Sequence, residues 1–147
     1  MIWSGGKIID LAAEDRTGVL LSQSQGINNR GQVVGWAAYD VDPGSPFWAF
    51  AFEQHRMMGL RTGKNVTDSG ANAIDDAGDI VGDIKASGRP GHATFWQANA
   101  MTDLGQVGGR DRARSSACAI NDHHQIAGWS TNTANQKRAT LWTFRAS

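Results

Sequence analysis

Four aspartates stand close together in the segment 75–83 of the sequence, where they could bind a calcium ion. Their spacing differs from the alternating Asp-x-Asp-x-Asp-Gly loop that wraps a hard cation. Asp75 is placed to begin a β-turn, and Asp79 and Asp83 follow it at strand positions. Together with Asp76, these residues predict turn and surface polarity, and we expect no metal site in this segment.

The four histidines do not make up a catalytic or metal-binding set. His123 and His124 are adjacent, and neighbouring side chains on an extended backbone point to opposite faces, so they cannot converge on one metal ion. His55 and His92 have no partner at a recognised spacing, and the sequence has neither Gly-x-Ser-x-Gly nor His-Glu-x-x-His. Cys118 is the single cysteine, which excludes an intramolecular disulfide and a multi-cysteine zinc site. We therefore predict no catalytic residue, no metal and no cofactor.

Two neighbouring segments could attract an anion. Residues Gly105–Arg110 (GQVGGR) are rich in glycine but lack the helix that a phosphate-binding loop requires. The one cluster of charges comes next and consists of Arg110, Asp111, Arg112 and Arg114. We interpret this cluster as a solvated loop, with a site for an anionic partner as the alternative.

The elements that position these residues are internal repeats, and each repeat contains two sequence blocks. The first isoleucine and the last glycine of the first block recur at intervals of 47 and 46 residues. The first block reads GINNRGQVVG (26–35), AIDDAGDIVG (73–82) and AINDHHQIAG (119–128). The second block reads AFAFEQHRMMGL (49–60), ATFWQANAMTDLG (93–105) and ATLWTF (139–144), and it aligns with IWSGGKIIDL (2–11). Two blocks that keep one register indicate a repeat architecture.

Each block predicts a β-hairpin. In the first block, Asn or Asp begins a type I turn, and Gly31 or Gly78 follows three positions later in the left-handed position of a G1 bulge. His124 replaces this glycine in the third copy, and histidine tolerates positive φ better than most residues do. No helix is expected, because no stretch keeps apolar residues at i, i+3, i+4 and i+7. The aligned aromatic residues of the second block, predicted to fill equivalent buried sites, are Trp3, Phe52, Trp96 and Trp142.

Two hairpins in each repeat of about 46 residues amount to four antiparallel strands, the size of one β-propeller blade. We therefore predict a single all-β domain, residues 1–147, made of three blade-like units. These units are approximately 22–60, 69–105 and 115–144, with residues 7–11 as one more strand. A β-trefoil-like closure is the alternative, because it also contains three four-stranded units. Short loops within both hairpins favour blades, since they produce a simple meander.

The segment 36–48 (WAAYDVDPGSPFW) departs from the repeat because it is three residues longer than its counterparts. Insertions in repeat proteins fall on loops, often on the binding face. Aromatic rings on such a loop can stack on sugars or bind a hydrophobic partner. Alternatively, Trp36 and Trp48 are core residues at strand ends, since Trp129 matches Trp36 in the third repeat. The candidate ligand-binding residues are Trp36, Tyr39, Phe47, Trp48 and His92.

The pattern Ala-x-x-Ile-Asn-x-x-Gly-Gln-Val-Val-Gly, followed by His-Ala-x-x-Trp and Met-x-Asp-Leu-Gly, resembles the HAF repeat of bacterial extracellular proteins. The resemblance extends from Trp3 to Phe144. The name motif is kept in part, as HAT at 92–94, WAF at 48–50 and RAT at 138–140. The resemblance implies an exported protein with more than three repeats, and it implies no particular activity.

Composition narrows the function classes. The 147 residues carry 14 basic and 14 acidic side chains, for a net charge of +0, which argues against a nucleic-acid or polybasic membrane contact. The sequence has no apolar run long enough for a membrane span, and its first residues lack a signal-peptide pattern, which leaves the compartment open. We predict a non-catalytic module that binds carbohydrate or another protein. The alternatives are a carbohydrate-active enzyme, with aspartates around a propeller face, and a structural fragment of a larger repeat protein.

The strand count also predicts assembly. Three four-stranded units require twelve strands, and the twelfth would be residues 7–11. Three blades are fewer than the 4–8 that normally close a propeller, whereas two chains supply six. We therefore expect a homodimer in which residues 7–11 of one chain complete the 115–144 unit of the other, which protects exposed strand edges.

Overall fold

The computed structural model describes residues 2–16, 18–107 and 112–143 of the chain. Almost all of the regular structure is β, and the described part contains a single helix, α1 (Leu11–Asp15). The strands are β1 (Ile2–Ser4), β2 (Lys7–Ile9), β3 (Leu21–Ile27), β4 (Val33–Ala38), β5 (Trp48–Glu53), β6 (Arg56–Gly59), β7 (Val66–Ile74), β8 (Ile80–Ala86), β9 (His92–Gln97), β10 (Ala100–Gly105), β11 (Ser115–Ile120), β12 (Gln125–Thr131) and β13 (Lys137–Thr143).

Three antiparallel sheets follow one another along the chain, and each is a meander of consecutive strands. The first sheet contains β3 to β6, the second β7 to β10 and the third β11 to β13. Strands β1 and β2 form a separate hairpin. The prediction of an all-β chain built from repeated antiparallel units is therefore confirmed. Residue 144, the end of the third predicted unit, lies outside the described residues.

The hairpin turns have the predicted backbone conformation. Gly31 and Gly78 have φ of 77° and 92°, in the left-handed region. His124, the equivalent residue of the third repeat, has φ of 55° and its N–H donates to the Asn121 carbonyl, as the N–H of Gly78 does to Asp75. The turn therefore survives the loss of glycine, although a non-glycine residue in this region is strained.

The glycine that closes the first block serves a purpose that its sequence pattern does not reveal. A Cβ built on Gly35, Gly82 or Gly128 would lie 1.9 to 2.0 Å from a backbone oxygen of the preceding strand. Those oxygens belong to Gln23, Gly70 and Ser116. The strand pairing shifts by one residue directly after each close approach, which brings the two backbones together. Only glycine fits at this point of each repeat.

The three sheets stack face to face in chain order. Strand β7 of the second sheet packs on β3, β4 and β5 of the first, and β11 of the third packs on β7, β8 and β9. No comparable packing joins the first sheet to the third among the described residues. This serial stacking favours the blade-like arrangement over trefoil-like closure. The core between the first two sheets contains Val34, Ala49, Ala71, Ile74, Ile80, Ile84 and Trp96, and the next contains Val81, Ala93, Phe95, Ala117 and Ile126.

A buried serine fastens each sheet to the one before it. Ser69 Oγ on β7 accepts a hydrogen bond of 2.8 Å from the N–H of Ala49 on β5. Ser115 Oγ on β11 accepts an equivalent bond of 2.8 Å from Ala93 on β9. Ser22 holds the same repeat position on β3 but is exposed. The serine becomes structural only where another sheet covers it.

The aligned aromatic residues are buried to different degrees. Trp96 and Phe52 are buried, as predicted, whereas Trp142 is only half-buried. The indole N–H of Trp96 donates to the Arg61 carbonyl at 2.7 Å, and that of Trp142 donates to the Leu104 carbonyl at 3.1 Å. The Trp96 indole therefore reaches the segment that follows β6, and the Trp142 indole reaches β10 of the second sheet. The side chain of Trp3 lies outside the described part.

The N-terminal segment differs from its prediction. The expected strand 7–11 ends at Ile9, and Asp10 caps α1 by accepting hydrogen bonds from the N–H groups of Ala12 and Ala13. Leu11 is buried in a cluster with residues of β4, β5 and β6. This helix covers one face of the first sheet, although no helix was expected. No helix in the described residues is long and apolar enough to cross a membrane.

Strand β2 pairs with β1 of its own chain, in the register Trp3 opposite Ile8. The hairpin thus matches the last two strands of a repeat, as the alignment of residues 2–11 with the second block predicted. It contributes two strands where the sequence count assumed one. Whether a second chain is involved stays a prediction.

Candidate functional site

The inserted segment forms an ordered loop between β4 and β5. Asp40 Oδ1 accepts hydrogen bonds from the N–H groups of Val41 and Asp42, at 2.7 and 3.2 Å. The N–H of Ser45 donates to the Asp42 carbonyl, and Gly44, the third residue of this turn, has φ of 97°. The Asp40 side chain and the glycine hold the loop in a defined turn.

The end of this loop is fixed to the second sheet. The N–H of Phe47 donates to Asp68 Oδ1 at 3.3 Å, and the N–H of Ser69 donates to the Phe47 carbonyl at 2.9 Å. The bond between Ser69 and Ala49 adds to this row of hydrogen bonds between the first sheet and β7. The loop therefore bridges the first two sheets, and its aromatic side chains are held in place before any ligand binds.

Four predicted aromatic residues form two ring pairs on this loop and its flanking strands. The centroids of Trp36 and Phe47 lie 5.5 Å apart at an interplanar angle of 51°. Those of Tyr39 and Trp48 lie 5.5 Å apart at 25°, a stacked arrangement. Tyr39 and Phe47 are 58% and 46% exposed, whereas both tryptophans are half-buried. Each pair thus combines one ring anchored in the fold with one ring offered to solvent.

Two depressions adjoin these rings. The aromatic depression, of about 380 Å³, is lined by Tyr39, Asp40, Ser45, Pro46, Phe47, Trp48, Thr62, Val66, Thr67, Asp68 and Ser69. A second one, of about 360 Å³, lies between the first two sheets and shares Phe47, Asp68 and Ser69 with the first. Trp36, Asp83 and Lys85 lie on its other walls. Phe47 is therefore the ridge between two neighbouring concave surfaces.

His92 does not join the aromatic residues. It lines neither depression, and its Nδ1 lies 2.9 Å from Asp103 Oδ2 on the adjacent strand β10. Its place at the start of β9 matches that of Trp48 at the start of β5, so the repeat alignment was correct. Trp48 and His92 share one repeat position, but they lie on different sheets and so do not meet at one site.

The predicted charge cluster lies beside the third sheet. Arg112 and Arg114 line a depression of about 770 Å³ together with Trp129 and Lys137. Lys137 Nζ lies 4.0 Å from the centroid of the Trp129 ring, a cation–π contact. Arg110 and Asp111 lie outside the described residues, as do residues 108 and 109 of the glycine-rich segment. The described arginines are exposed, as expected of a solvated loop.

The aspartate cluster is less superficial than predicted. Asp75 does initiate its turn, and its Oδ1 accepts the Asp79 N–H at 2.8 Å, but Asp75 and Asp79 are only 4% and 5% exposed. Burial, with the nearby charge of Asp79, raises the pKa of Asp75. Hydrogen bonds from Asn29 lower the pKa of Asp76. The expectation of surface polarity was therefore wrong for Asp75 and Asp79, because the packing of the second sheet against its neighbours encloses their turn.

Asp83, also in this cluster, accepts hydrogen bonds from Asn72 and Ser116, at 3.0 and 2.9 Å. Asn72 occupies the bulge of β7, where its side chain also donates to the Ala117 carbonyl at 2.8 Å. A polar network therefore links the second and third sheets at this point. The sequence showed these residue types but not the contacts between sheets.

His124 was considered from the sequence, but its contact with Asp79 was missed. His124 Nδ1 lies 3.3 Å from Asp79 Oδ2, although the two residues belong to different repeats. Comparing the turns of the repeats would have revealed the signal, since Asp75 and Asp79 stand where the first and third repeats have asparagine and glutamine. The proximity of His124 depends on how neighbouring turns stack, which local spacing does not show.

The chain was compared with protein-family models, curated proteins and solved structures, and none of them matches it. The resemblance to the HAF repeat stays a prediction.

Proposed function

We propose that the chain is a non-catalytic binding module and that its ligand is a carbohydrate held at the aromatic depression. The observation that carries this proposal is the pair of exposed rings, Tyr39 and Phe47, on a loop fixed by hydrogen bonds within itself and to the second sheet. A volume of about 380 Å³ lies within the range of small-molecule sites. A surface prepared in this way loses little conformational freedom when it binds.

The residue types around the rings suit a neutral sugar. The apolar face of a pyranose ring can stack on Tyr39 or Phe47, because the edges of its C–H groups meet the negative face of an aromatic ring. Asp40 and Asp68 offer carboxylate oxygens, and Thr67 offers a hydroxyl group, at the rim of the same depression. Carboxylates accept hydrogen bonds from sugar hydroxyls and repel acidic ligands. The charge and shape therefore favour an uncharged glycan.

The proposed absence of catalysis follows from where the carboxylates lie. A glycosidase needs two carboxyl groups that flank the substrate, about 5–9.5 Å apart. Asp75 has a raised pKa, as an acid catalyst would, but Asp75 and Asp79 are buried and line neither depression beside the aromatic rings. A substrate at the aromatic depression would meet Asp40 and Asp68 instead, and these two carboxylates already accept backbone N–H groups that hold the loop.

A glycan array followed by calorimetric titration of the best neutral hit tests this function. Tyr39→Ala and Phe47→Ala should each weaken binding at least about tenfold, since central aromatic contacts carry most of the energy of such sites. Lys137→Ala is the matched control, because Lys137 is the equivalent of Phe47 in the third repeat. Lys137 contacts the Trp129 ring, as Phe47 contacts the Trp36 ring. The affinity of this variant should equal that of the wild-type chain.

Two results would overturn the carbohydrate proposal. The first is an array on which no neutral glycan binds. The second is full affinity in both alanine variants, provided that their thermal unfolding matches that of the wild type. Binding confined to acidic glycans and abolished by Lys137→Ala would instead place the ligand at the arginine and lysine residues beside the third sheet.

We also propose that a second copy of the chain covers one face of the third sheet, which we call the third-sheet face. It comprises Ala127, Ala139 and Leu141. Leu141 is 62% exposed, whereas its repeat equivalent Phe95 is 7% exposed because the third sheet packs on it. Ala93, the equivalent of Ala139, is fully buried. The third-sheet face therefore carries the same apolar positions that are buried where the third sheet packs on the second. Another sheet of this repeat, from a second chain, could pack on it in the same way.

Light scattering of the purified chain over a range of concentrations tests this assembly. The wild type should dimerise, and Leu141→Asp should be monomeric, because it buries an unpaired carboxylate in the contact. Ile8→Asp is the matched control, since Ile8 is 70% exposed and lies on β2, away from the third-sheet face. A monomeric wild type would overturn the proposal. Loss of the dimer in Ile8→Asp alone would support strand exchange through residues 7–11 instead.

A further inference from the structure

The turns of this protein share a side-chain hydrogen bond that closes them. In the first repeat, Asn28 Nδ2 donates to Gln32 Oε1 at 2.6 Å. In the third, Asn121 Nδ2 donates to Gln125 Oε1 at 2.8 Å, and the next turn has the same bond at 3.1 Å. The Oδ1 atom of each asparagine meanwhile accepts N–H groups of its own turn. An amide donor facing an amide acceptor is thus the rule in these turns.

The second repeat breaks this rule with two carboxylates. Asp75 and Asp79 occupy the asparagine and glutamine positions. Asp75 Oδ1 keeps the usual bond to the N–H of residue 79, so its Oδ2 takes the place of the amide nitrogen, where it cannot donate when ionised. That Oδ2 is buried and has no hydrogen-bond partner among the described residues. Two buried acceptors face each other, and a cation between them would satisfy both.

A third group converges on the same point from the next repeat. His124 Nδ1 lies 3.3 Å from Asp79 Oδ2, and one ligand atom from each of Asp75, Asp79 and His124 lies within 4.8 Å of the others. Gln97 Nε2 donates to Asp79 Oδ2 at 3.1 Å and so orients that carboxylate. His124 stands where the other two repeats have glycine, so an imidazole is present only where the turns of the second and third repeats meet.

We propose that Asp75, Asp79 and His124 bind a divalent transition-metal ion, of which zinc is the best-fitting representative, and that this ion joins the second sheet to the third. Imidazole nitrogen and carboxylate oxygen are common zinc ligands, at about 2.0–2.2 Å from the ion. A tetrahedron of that size has edges of about 3.3 Å, which is the distance between His124 Nδ1 and Asp79 Oδ2. Asp75 offers a ligand atom within 4.8 Å of the other two. Calcium fits less well, because it takes 6–8 oxygen ligands. Burial of both carboxylates indicates a structural site.

The test uses the full-length chain without an affinity tag, stripped with a chelator and then titrated with zinc chloride. Zinc at about 100 times its Kd should raise the unfolding temperature by roughly 5–10 °C, because the ion binds the folded chain and not the unfolded one. Calorimetry should give one ion per chain. Calcium chloride at the same concentration should have a much smaller effect.

Two independent variants remove the ligands while using residues that the other turns already accept. The double variant Asp75→Asn with Asp79→Gln installs the amide pair of the first repeat, and His124→Gly installs its glycine. Both should fold without metal and bind zinc at least about 100-fold more weakly than the wild type. His55→Ala is the control, since His55 is exposed and its Nδ1 lies 3.1 Å from Glu14 Oε2, on the first sheet's side of the chain and not in the proposed site. It should keep the wild-type response.

The proposal is overturned if zinc leaves the wild-type unfolding temperature unchanged. It is equally overturned if either ligand variant that folds responds to zinc as the wild type does. A loss of the response in His55→Ala alone would assign the bound zinc to the protein surface.

Discussion

The Cβ atom that Gly82 lacks would lie 1.9 Å from the backbone oxygen of Gly70 on the adjacent strand. The same relationship holds at Gly35 and Gly128. The recurrence of glycine at this repeat position is therefore a steric requirement. It is imposed by the bulge that brings the first and second strands of each sheet together.

Gly82→Ala should destabilise the protein by more than about 3 kcal/mol, because the added methyl group meets backbone atoms that cannot move aside cheaply. The measurement is urea-induced unfolding followed by tryptophan fluorescence. Gly70→Ala is the control, since a Cβ at Gly70 has nothing within 4 Å and its φ is not positive. Equal stability of the two variants would contradict the steric explanation.

Gly78→Val should cost more than about 1 kcal/mol for a different reason. Gly78 has φ of 92°, and a β-branched side chain is poorly tolerated in the left-handed region. The space around it is open enough for a side chain, so the loss comes from backbone strain and not from a clash. Gly78→Asn separates the two causes, because asparagine is bulky but accepts this conformation. If it is as unstable as the valine variant, the strain argument fails.

Trp96→Ala should cost about 3–5 kcal/mol, because the indole is 1% exposed and fills the core between the first two sheets. Trp142→Ala removes the aligned indole of the third repeat, which is only half-buried, and should cost clearly less. Equilibrium unfolding of both variants gives the comparison. If Trp142→Ala loses more stability than Trp96→Ala does, the half-buried indole is covered in solution by a second chain as well as by its own.

The strands and turns could be read from the sequence because the information is local and occurs three times. Turn residues such as Asn28 and Gly31 specify hairpins wherever they recur, and the intervals of 47 and 46 residues then set the boundaries of the sheets. The helix at Leu11 could not be read in this way. It is a single turn or so, stabilised by the Asp10 cap and by burial against the first sheet, and neither leaves a periodic pattern.

The candidate sites divide along the same line. The aromatic residues of the 36–48 segment stood out because an insertion interrupts an otherwise regular repeat. The approach of His124 to Asp79 depends on the stacking of turns from two sheets, so no spacing along the chain reports it. Burial of Asp75 has the same origin, because the neighbouring sheets and not the local sequence exclude water from its turn.

The serines at the start of the inner strands offer the sharpest test of how the sheets are joined. Ser115 is 2% exposed, and its Oγ accepts the Ala93 N–H at 2.8 Å and donates to the Gly105 carbonyl at 2.7 Å. Ser115→Ala leaves a buried N–H and a carbonyl without their partner, which should cost about 1–3 kcal/mol.

Ser22→Ala alters the same repeat position on β3, where the serine is exposed, and should change stability by no more than about 0.5 kcal/mol. Ser69→Ala, with one buried bond to Ala49, should fall between the two. The order of the three losses, measured by urea unfolding, reports the number of sheet-to-sheet hydrogen bonds that each hydroxyl makes. If Ser22→Ala destabilises the protein as much as Ser115→Ala does, β3 is also covered in solution. A second chain would then donate a backbone N–H to Ser22, as Ala49 does to Ser69.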